Sequence, residues 1–278
     1  MEVIAALFAS LGWGTSDFLG GSVSKKIASS TALLWSSLIA LPLVIVVVFF
    51  GGNLVFDRVT IGWGIIAGLG ASLGVVSLYR GLASGQMGAV APIASLSVVL
   101  PVVVGVFQGE RPDWFTLIGV ILAVIGVVLA SGPNLRQFRT GALRPILFAF
   151  GATLGIGISR VAVANGSDTS SFATLLVTRL TYPIVLITLA TSTKAELALL
   201  PGVRLKVAAS GFCDVAALTA YSVATESGSL PVIAALSSLF PLVVLLLARY
   251  VAHEHLERVQ LVGALVAIAG TITIVSTL

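Results

Sequence analysis

Ten apolar runs of about twenty residues, separated by short polar connections, leave this chain almost nothing from which a water-facing surface could be assembled. They fall at Val3–Gly21, Ala28–Phe50, Ile61–Leu82, Gly88–Gln108, Trp114–Ser131, Ile146–Ala164, Phe172–Thr191, Val203–Ala224, Leu230–Tyr250 and Val259–Thr277. A hydrocarbon core of about 30 Å needs roughly 20 such residues per helix, so each run is long enough to cross once. Of the 278 residues 58% are hydrophobic and 9% charged, where a soluble domain carries roughly 25% charged residues. The fold class implied is an all-α membrane protein of ten transmembrane helices embedded in a lipid bilayer. Soluble, secreted, disordered and nucleic-acid-binding classes are excluded together. The 15 basic residues behind the net charge of +4 are scattered through the connections and form no phosphate-tracking patch. The single cysteine, Cys213, can form no disulfide within the chain. The first run has no basic leader and no clear cleavage signal, and reads as a retained helix.

The second half repeats the first at an offset of 140 to 144 residues. LGWGTSDF at Leu11–Phe18 matches LGIGISRV at Leu154–Val161, ASLSVVLP at Ala94–Pro101 matches AALSSLFP at Ala234–Pro241, and IGVILAVIG at Ile118–Gly126 matches VGALVAIAG at Val262–Gly270. Residues 1–131 and 146–278 are therefore two five-helix units joined by a basic loop at 132–145. An odd number of crossings makes the second copy enter from the opposite face, giving an inverted repeat with a pseudo-twofold axis in the membrane plane. That geometry suits alternating access. Gly119, Ala123 and Gly126 recur as Gly263, Ala267 and Gly270, small-residue stripes that allow close helix approach either within the chain or between two protomers.

Two common catalytic signatures are missing: the chain has no phosphate-binding loop and no zinc-protease helix. No enzyme activity and no cofactor are expected. His253-Glu254-His255 places its side chains on different faces, whereas zinc wants three or four convergent ligands, so no metal site is expected either.

The motifs carry a resemblance. Trp13-Gly14, Tyr79 and Tyr221, Pro101 and Pro241, and Gly109-Glu110 followed by Gly119 and Gly126 are similar to the ten-helix EamA branch of the drug/metabolite transporters, over essentially the whole chain. The second copy keeps the acid at Glu254 but has His253 where the first has glycine, and Ile156 where the first has Trp13. The resemblance implies a multi-pass transporter of a cell membrane, of the bacterial inner-membrane kind, that exports a small metabolite. It fixes no cargo.

Within that frame the expected function is secondary active export of a small polar or aromatic metabolite, amino-acid-like or related, through a central cavity. A passive facilitator of the same architecture is the alternative. Trp13, Trp35, Tyr79, Tyr182 and Tyr221 are the candidate aromatic walls. Pro101 and Pro241 lie near the middle of the fourth and ninth runs, where each frees the carbonyl of a serine four residues earlier, Ser97 or Ser237. These paired polar notches are expected to face the cavity. Arg179 and Asp214 lie near mid-span in adjacent runs, and an intramembrane charge is by default functional. Either they form a structural pair, or Arg179 binds an anionic cargo group while Asp214 receives an amine or a coupling proton. Asp17 and Arg160 occupy equivalent repeat positions but are expected about 15 Å apart along the membrane normal, on opposite sides of its midplane. Loop charges set orientation. Eleven basic residues (Lys25, Lys26, Arg80, Arg136, Arg139, Arg144, Lys194, Arg204, Lys206, Arg249 and Arg258) fall on one side, and Arg58 and Arg111 on the other, which places both termini outside the cytoplasm. The resemblance favours termini inside.

Overall fold

Large apolar side chains face outward and hydroxyls inward. Phe49, Phe107, Leu205 and Ile272 are exposed, while Thr31, Ser72, Thr174 and Ser237 are fully buried. This is the pattern of a protein dissolved in lipid, where helix contacts rest on small residues and internal hydrogen bonds. The structure is a computed structural model and describes residues 1–24, 26–51, 54–83, 93–94, 96–109, 111–130, 143–226, 228–251 and 258–275. Among the described residues the regular elements are all helical: α1 Glu2–Ser24, α2 Ser29–Phe50, α3 Arg58–Ala83, α4 Val99–Phe107, α5 Trp114–Ala130, α6 Leu143–Ser192, α7 Arg204–Thr225, α8 Leu230–Ser237, α9 Phe240–Tyr250 and α10 Arg258–Val275. Five stretches are long and apolar enough to cross a membrane: Glu2–Ser24, Ser29–Phe50, Arg58–Gly81, Ile146–Ser192 and Pro201–Glu226. Shorter apolar helices accompany them at Trp114–Leu129, Leu230–Val244 and Arg258–Gly270. The protein is a membrane protein.

The 47-residue stretch Ile146–Ser192 would be about 70 Å long as one rod, more than twice the hydrocarbon thickness. It is not one rod. Ser170 leaves the helical region (φ −162°, ψ 105°), and a Cβ on Gly166 would lie 2.6 Å from Thr174 Cγ2, so the two limbs of α6 fold back on each other. These limbs are the sixth and seventh apolar runs.

The fourth and ninth runs depart from expectation. Instead of continuous helices kinked at proline, both are broken just before it. A 3-10 turn at Leu96–Val98 leads into α4, and Ser238-Leu239 separates α8 from α9. Pro101 and Pro241 therefore sit in the first turn of the helix that follows, where a missing N–H removes no helical bond.

Helix pairing crosses between the halves. α1 packs along α7, α3 along α6, α4 on α8, and α5 along α10. Two glycines show that these pairings are related by the repeat. A Cβ on Gly12 would stand 2.8 Å from the Cys213 carbonyl oxygen and from Ala217 Cβ, and one on Gly155 would stand 2.6 Å from Gly74 Cα and 2.8 Å from the Gly70 carbonyl oxygen. Gly12 and Gly155, Gly70 and Cys213, and Gly74 and Ala217 are each 143 residues apart. The two contacts are thus one contact made twice. The stripes of α5 and α10 also meet within the chain, Gly126 against Ala267 and Gly270 against Ala123 and the Gly119 carbonyl. Gly109 ends α4 with φ +98°, a conformation that favours glycine. Glu110, the connecting loop at 132–142 and His253-Glu254-His255 lie outside the described residues.

Candidate functional site

A cavity of about 90 Å³ lies where α1, α2, α3, α6 and α7 meet, touched also by the start of α9. Both repeats contribute. The first half supplies Trp13, Ser16 and Asp17 from α1, Leu33 and Ser36 from α2, and Ala71, Val75, Leu78 and Tyr79 from α3. From the second half come Ser159, Arg160 and Val163 on one limb of α6, Thr178, Arg179 and Tyr182 on the other, Ser210, Asp214, Leu218 and Tyr221 from α7, and Phe240. The wall is aromatic and apolar with a few convergent polar groups, the usual make-up of a small-molecule site.

Two acidic and two basic side chains face this space, and they are held differently. Arg179 Nη1 donates to Asp214 Oδ2 at 2.6 Å and Nη2 donates to the Asp214 carbonyl oxygen at 2.9 Å, while Arg179 Nε has no hydrogen-bond partner among the described residues. Arg179 is nearly enclosed, its side chain 6% exposed, whereas the Asp214 side chain is 32% exposed. Arg160 is buried, with its guanidinium 4.9 Å from the Trp13 ring centre and 5.3 Å from that of Phe240. Its backbone oxygen accepts the Tyr221 hydroxyl at 3.3 Å, and Tyr221 in turn packs on Trp13 with ring centres 5.5 Å apart. Asp17 interacts with the Tyr79 hydroxyl and, through space, with Arg160 and Asp214. Around these charges, Ser16 and Ser210 pin α1 to α7: their hydroxyls are 3.0 Å apart, and Ser210 Oγ also donates to the Ser16 carbonyl oxygen at 3.1 Å.

The structure brings Trp13, Tyr79, Arg179, Tyr182, Asp214 and Tyr221 to one cavity. Trp35 stands elsewhere: its Nε1 donates to the Leu197 carbonyl oxygen at 2.8 Å and its ring packs on the cluster of Val23, Ala32, Val203 and Val207. Ser97, Pro101 and Ser237 are buried but do not line the cavity. The Ser97 carbonyl oxygen would be 3.0 Å from a Cβ on Gly157, so it packs against α6, and Ser237 Oγ donates to the Ala234 carbonyl oxygen at 3.1 Å. The backbone of Pro241 opens α9, beside the cavity residue Phe240.

Asp17 and Arg160, expected about 15 Å apart across the midplane, also line this cavity. No ion pair joins them among the described residues, yet both face the same cavity. Each acts on the other through space, so the depth estimate did not keep them from one cavity. The signal that finds them is the repeat itself, since the contact spacing of 143 makes each the other's counterpart. The same spacing sets Arg179 opposite Ser36 and Asp214 opposite Ala71, not the adjacent Trp35 and Ser72. Ser36 and Ala71 both line the cavity, and Trp35 and Ser72 do not.

A second, more polar cavity of about 410 Å³ lies among Gln108, Asn165, Asp168, Thr225, Glu226 and Ser229. Gln108 Nε2 donates to Asn165 Oδ1 at 2.8 Å, and Ser171 Oγ donates to Glu226 Oε1.

The comparisons with known proteins agree with this two-unit plan. A search of curated proteins gives no match. A solved chain described only as "Crystal structure of protein" is similar at 16% identity, with a TM-score of 0.81, covering 98% of this chain and 95% of that one. At that identity the likeness speaks for the fold alone. The family description "EamA-like transporter family" matches twice, at residues 1–132 and 143–276, one match for each repeat. With both units matched and nearly the whole chain covered, this protein belongs to the EamA-like transporter family.

Proposed function

We propose that the chain is a secondary active exporter of a small polar or aromatic metabolite, working by alternating exposure of the central cavity. The observation that supports this best is the cavity's composition. Each repeat contributes aromatic, hydroxyl and charged groups to one buried space, so a relative movement of the halves would change access to all of them together. In this reading the ten apolar runs are ten crossings and the repeats are inverted. Trp13, Tyr79, Tyr182 and Tyr221 form the walls around cargo, and the Arg179–Asp214 pair frames one side. The charge asymmetry of the loops supports a cell-membrane orientation with both termini outside the cytoplasm.

The test is transport by the purified protein in proteoliposomes, using a solute chosen by thermal shift, because a ligand that binds the native state raises its melting temperature. A proton gradient is expected to drive accumulation above the equilibrium concentration. Downhill flux that ignores the gradient would replace the exporter by a facilitator. A chemically altered solute would replace both by an enzyme.

A further inference from the structure

Arg160 is a buried cation whose chemistry is left unfinished. The residue is 5% exposed, its Nη1 reaches no acceptor, and no carboxylate lies within ion-pair distance of its guanidinium among the described residues. Arg179 differs, because two of its nitrogens are already committed to Asp214. What Arg160 does have is aromatic: Trp13 and Phe240 lie within 4.9 and 5.3 Å of the guanidinium carbon. Such rings attract the cation but accept no N–H bond in its plane. The in-plane donors of a guanidinium match a carboxylate, which can take two parallel bonds. A charge in the membrane interior without such a partner is expensive, and the expense falls when an anion enters. Asp17 lines the same space and acts on Arg160 through space, without an ion pair between them among the described residues.

We infer that Arg160 is the anion-recognition group of the cavity and that the cargo carries a carboxylate. The carboxylate docks edge-on to the guanidinium, and the apolar remainder of the molecule lies along Trp13 and Tyr221. Arg179, held by Asp214, keeps a positioning role. The assignment rests on the cavity being the cargo site, as proposed above, and names what that site selects.

The experiment compares small monocarboxylates (acetate, isobutyrate and benzoate) with their neutral amides and with benzylamine, as ligands of the purified full chain. Binding is read by tryptophan fluorescence, to which Trp13 reports directly, and by melting temperature. A charge-assisted bond is worth about 1.5–3 kcal/mol, so at least one carboxylate is expected to bind about 10- to 100-fold more tightly than its amide. In Arg160→Gln that preference is expected to vanish, while Arg160→Lys, which keeps the charge but loses the fork, retains part of it. Equal binding of acids and amides, preference for benzylamine, or an unchanged preference in folded Arg160→Gln would each overturn the assignment. The comparison of acids with amides in the natural chain needs no variant and so decides the matter even if Arg160→Gln fails to fold. Proteoliposome flux separates this assignment from the functional reading. If amides are transported without any preference for acids, the transporter stands and the Arg160 site falls. If acids bind through Arg160 but no bound solute crosses, the site stands and the transporter falls.

Discussion

Arg179 holds Asp214 at two points, through its carboxylate at 2.6 Å and through its own backbone carbonyl at 2.9 Å. The pair is unequal in burial, so its two halves are expected to respond differently to mutation. Asp214→Asn leaves a nearly enclosed arginine without its anion, a change of the kind that destabilises by about 3–5 kcal/mol. Arg179→Gln leaves an aspartate that still opens onto the cavity, and the loss is expected to be smaller. The exchange Arg179→Asp with Asp214→Arg should recover part of the stability lost in either single reversal, but not all, because the bond to the backbone is not restored. Thermal melting of the five variants checks the order. Equal losses from the two neutral substitutions would contradict it.

Two carboxylates outside the membrane-spanning segments give a pH signature. Asp57 Oδ1 accepts the Thr60 N–H at 2.7 Å ahead of α3, and Asp113 Oδ1 accepts the Thr116 N–H at 2.7 Å ahead of α5. The backbone N–H of Thr60 holds the Asp57 carboxyl below its ordinary range, and the hydroxyl and N–H of Thr116 do the same for Asp113. A depressed value means that the caps contribute fully above the unfolded carboxyl value of about 3.9 and lose that contribution as pH falls through the lower folded value. Melting temperature is expected to be insensitive to these groups between pH 5 and 7 (about the neutral working range) and to drop below about pH 4. Asp57→Asn with Asp113→Asn keeps a capping oxygen and should flatten that acid-side drop.

Glycine substitutions separate packing from propensity. Gly155→Ala drives a methyl into Gly74 and the Gly70 carbonyl, both backbone, and is expected to abolish folded protein. Gly21→Ala meets nothing within 4 Å and lies within α1, so it should be neutral or stabilise by up to about 1 kcal/mol. Yield of monodisperse protein in detergent reads both. A well-folded Gly155→Ala variant would contradict the close contact of α3 with α6.

Much of the fold was legible because lipid imposes a simple rule on sequence. Apolar length gave the helices, including the two limbs of α6, and blocks such as ASLSVVLP and AALSSLFP gave the repeat. Depth, at about 1.5 Å per residue, also pointed to Arg179 and Asp214, which the structure joins in an ion pair beside the cavity. Depth says nothing about which way a residue faces around its helix. That is why Trp35, one position from the cavity residue Ser36, was expected at the cavity it does not line, and why Asp17 and Arg160 were expected apart. The proline notches misled for a different reason. A proline four residues after a serine is equally compatible with a kink inside a helix and with the first turn of a new one, and only the break at Ser238-Leu239 tells them apart.

Orientation is checked by a C-terminal fusion. With both termini outside the cytoplasm, a reporter that fluoresces only in the cytoplasm should be dark and one active only outside should be active. The opposite pattern would reverse the assignment and show that the loop charges do not govern insertion here.

The central claim is that cargo passes through the space between the repeats, and filling that space tests it most directly. Ala71 lines the cavity from α3, where a phenylalanine ring would occupy much of the about 90 Å³ available. Proteoliposomes of Ala71→Phe, compared with the natural chain for uptake of the same solute, are expected to show at least a tenfold loss of flux (about 1.4 kcal/mol per factor of ten) with melting behaviour preserved. Undiminished flux through folded Ala71→Phe would mean that cargo takes another route.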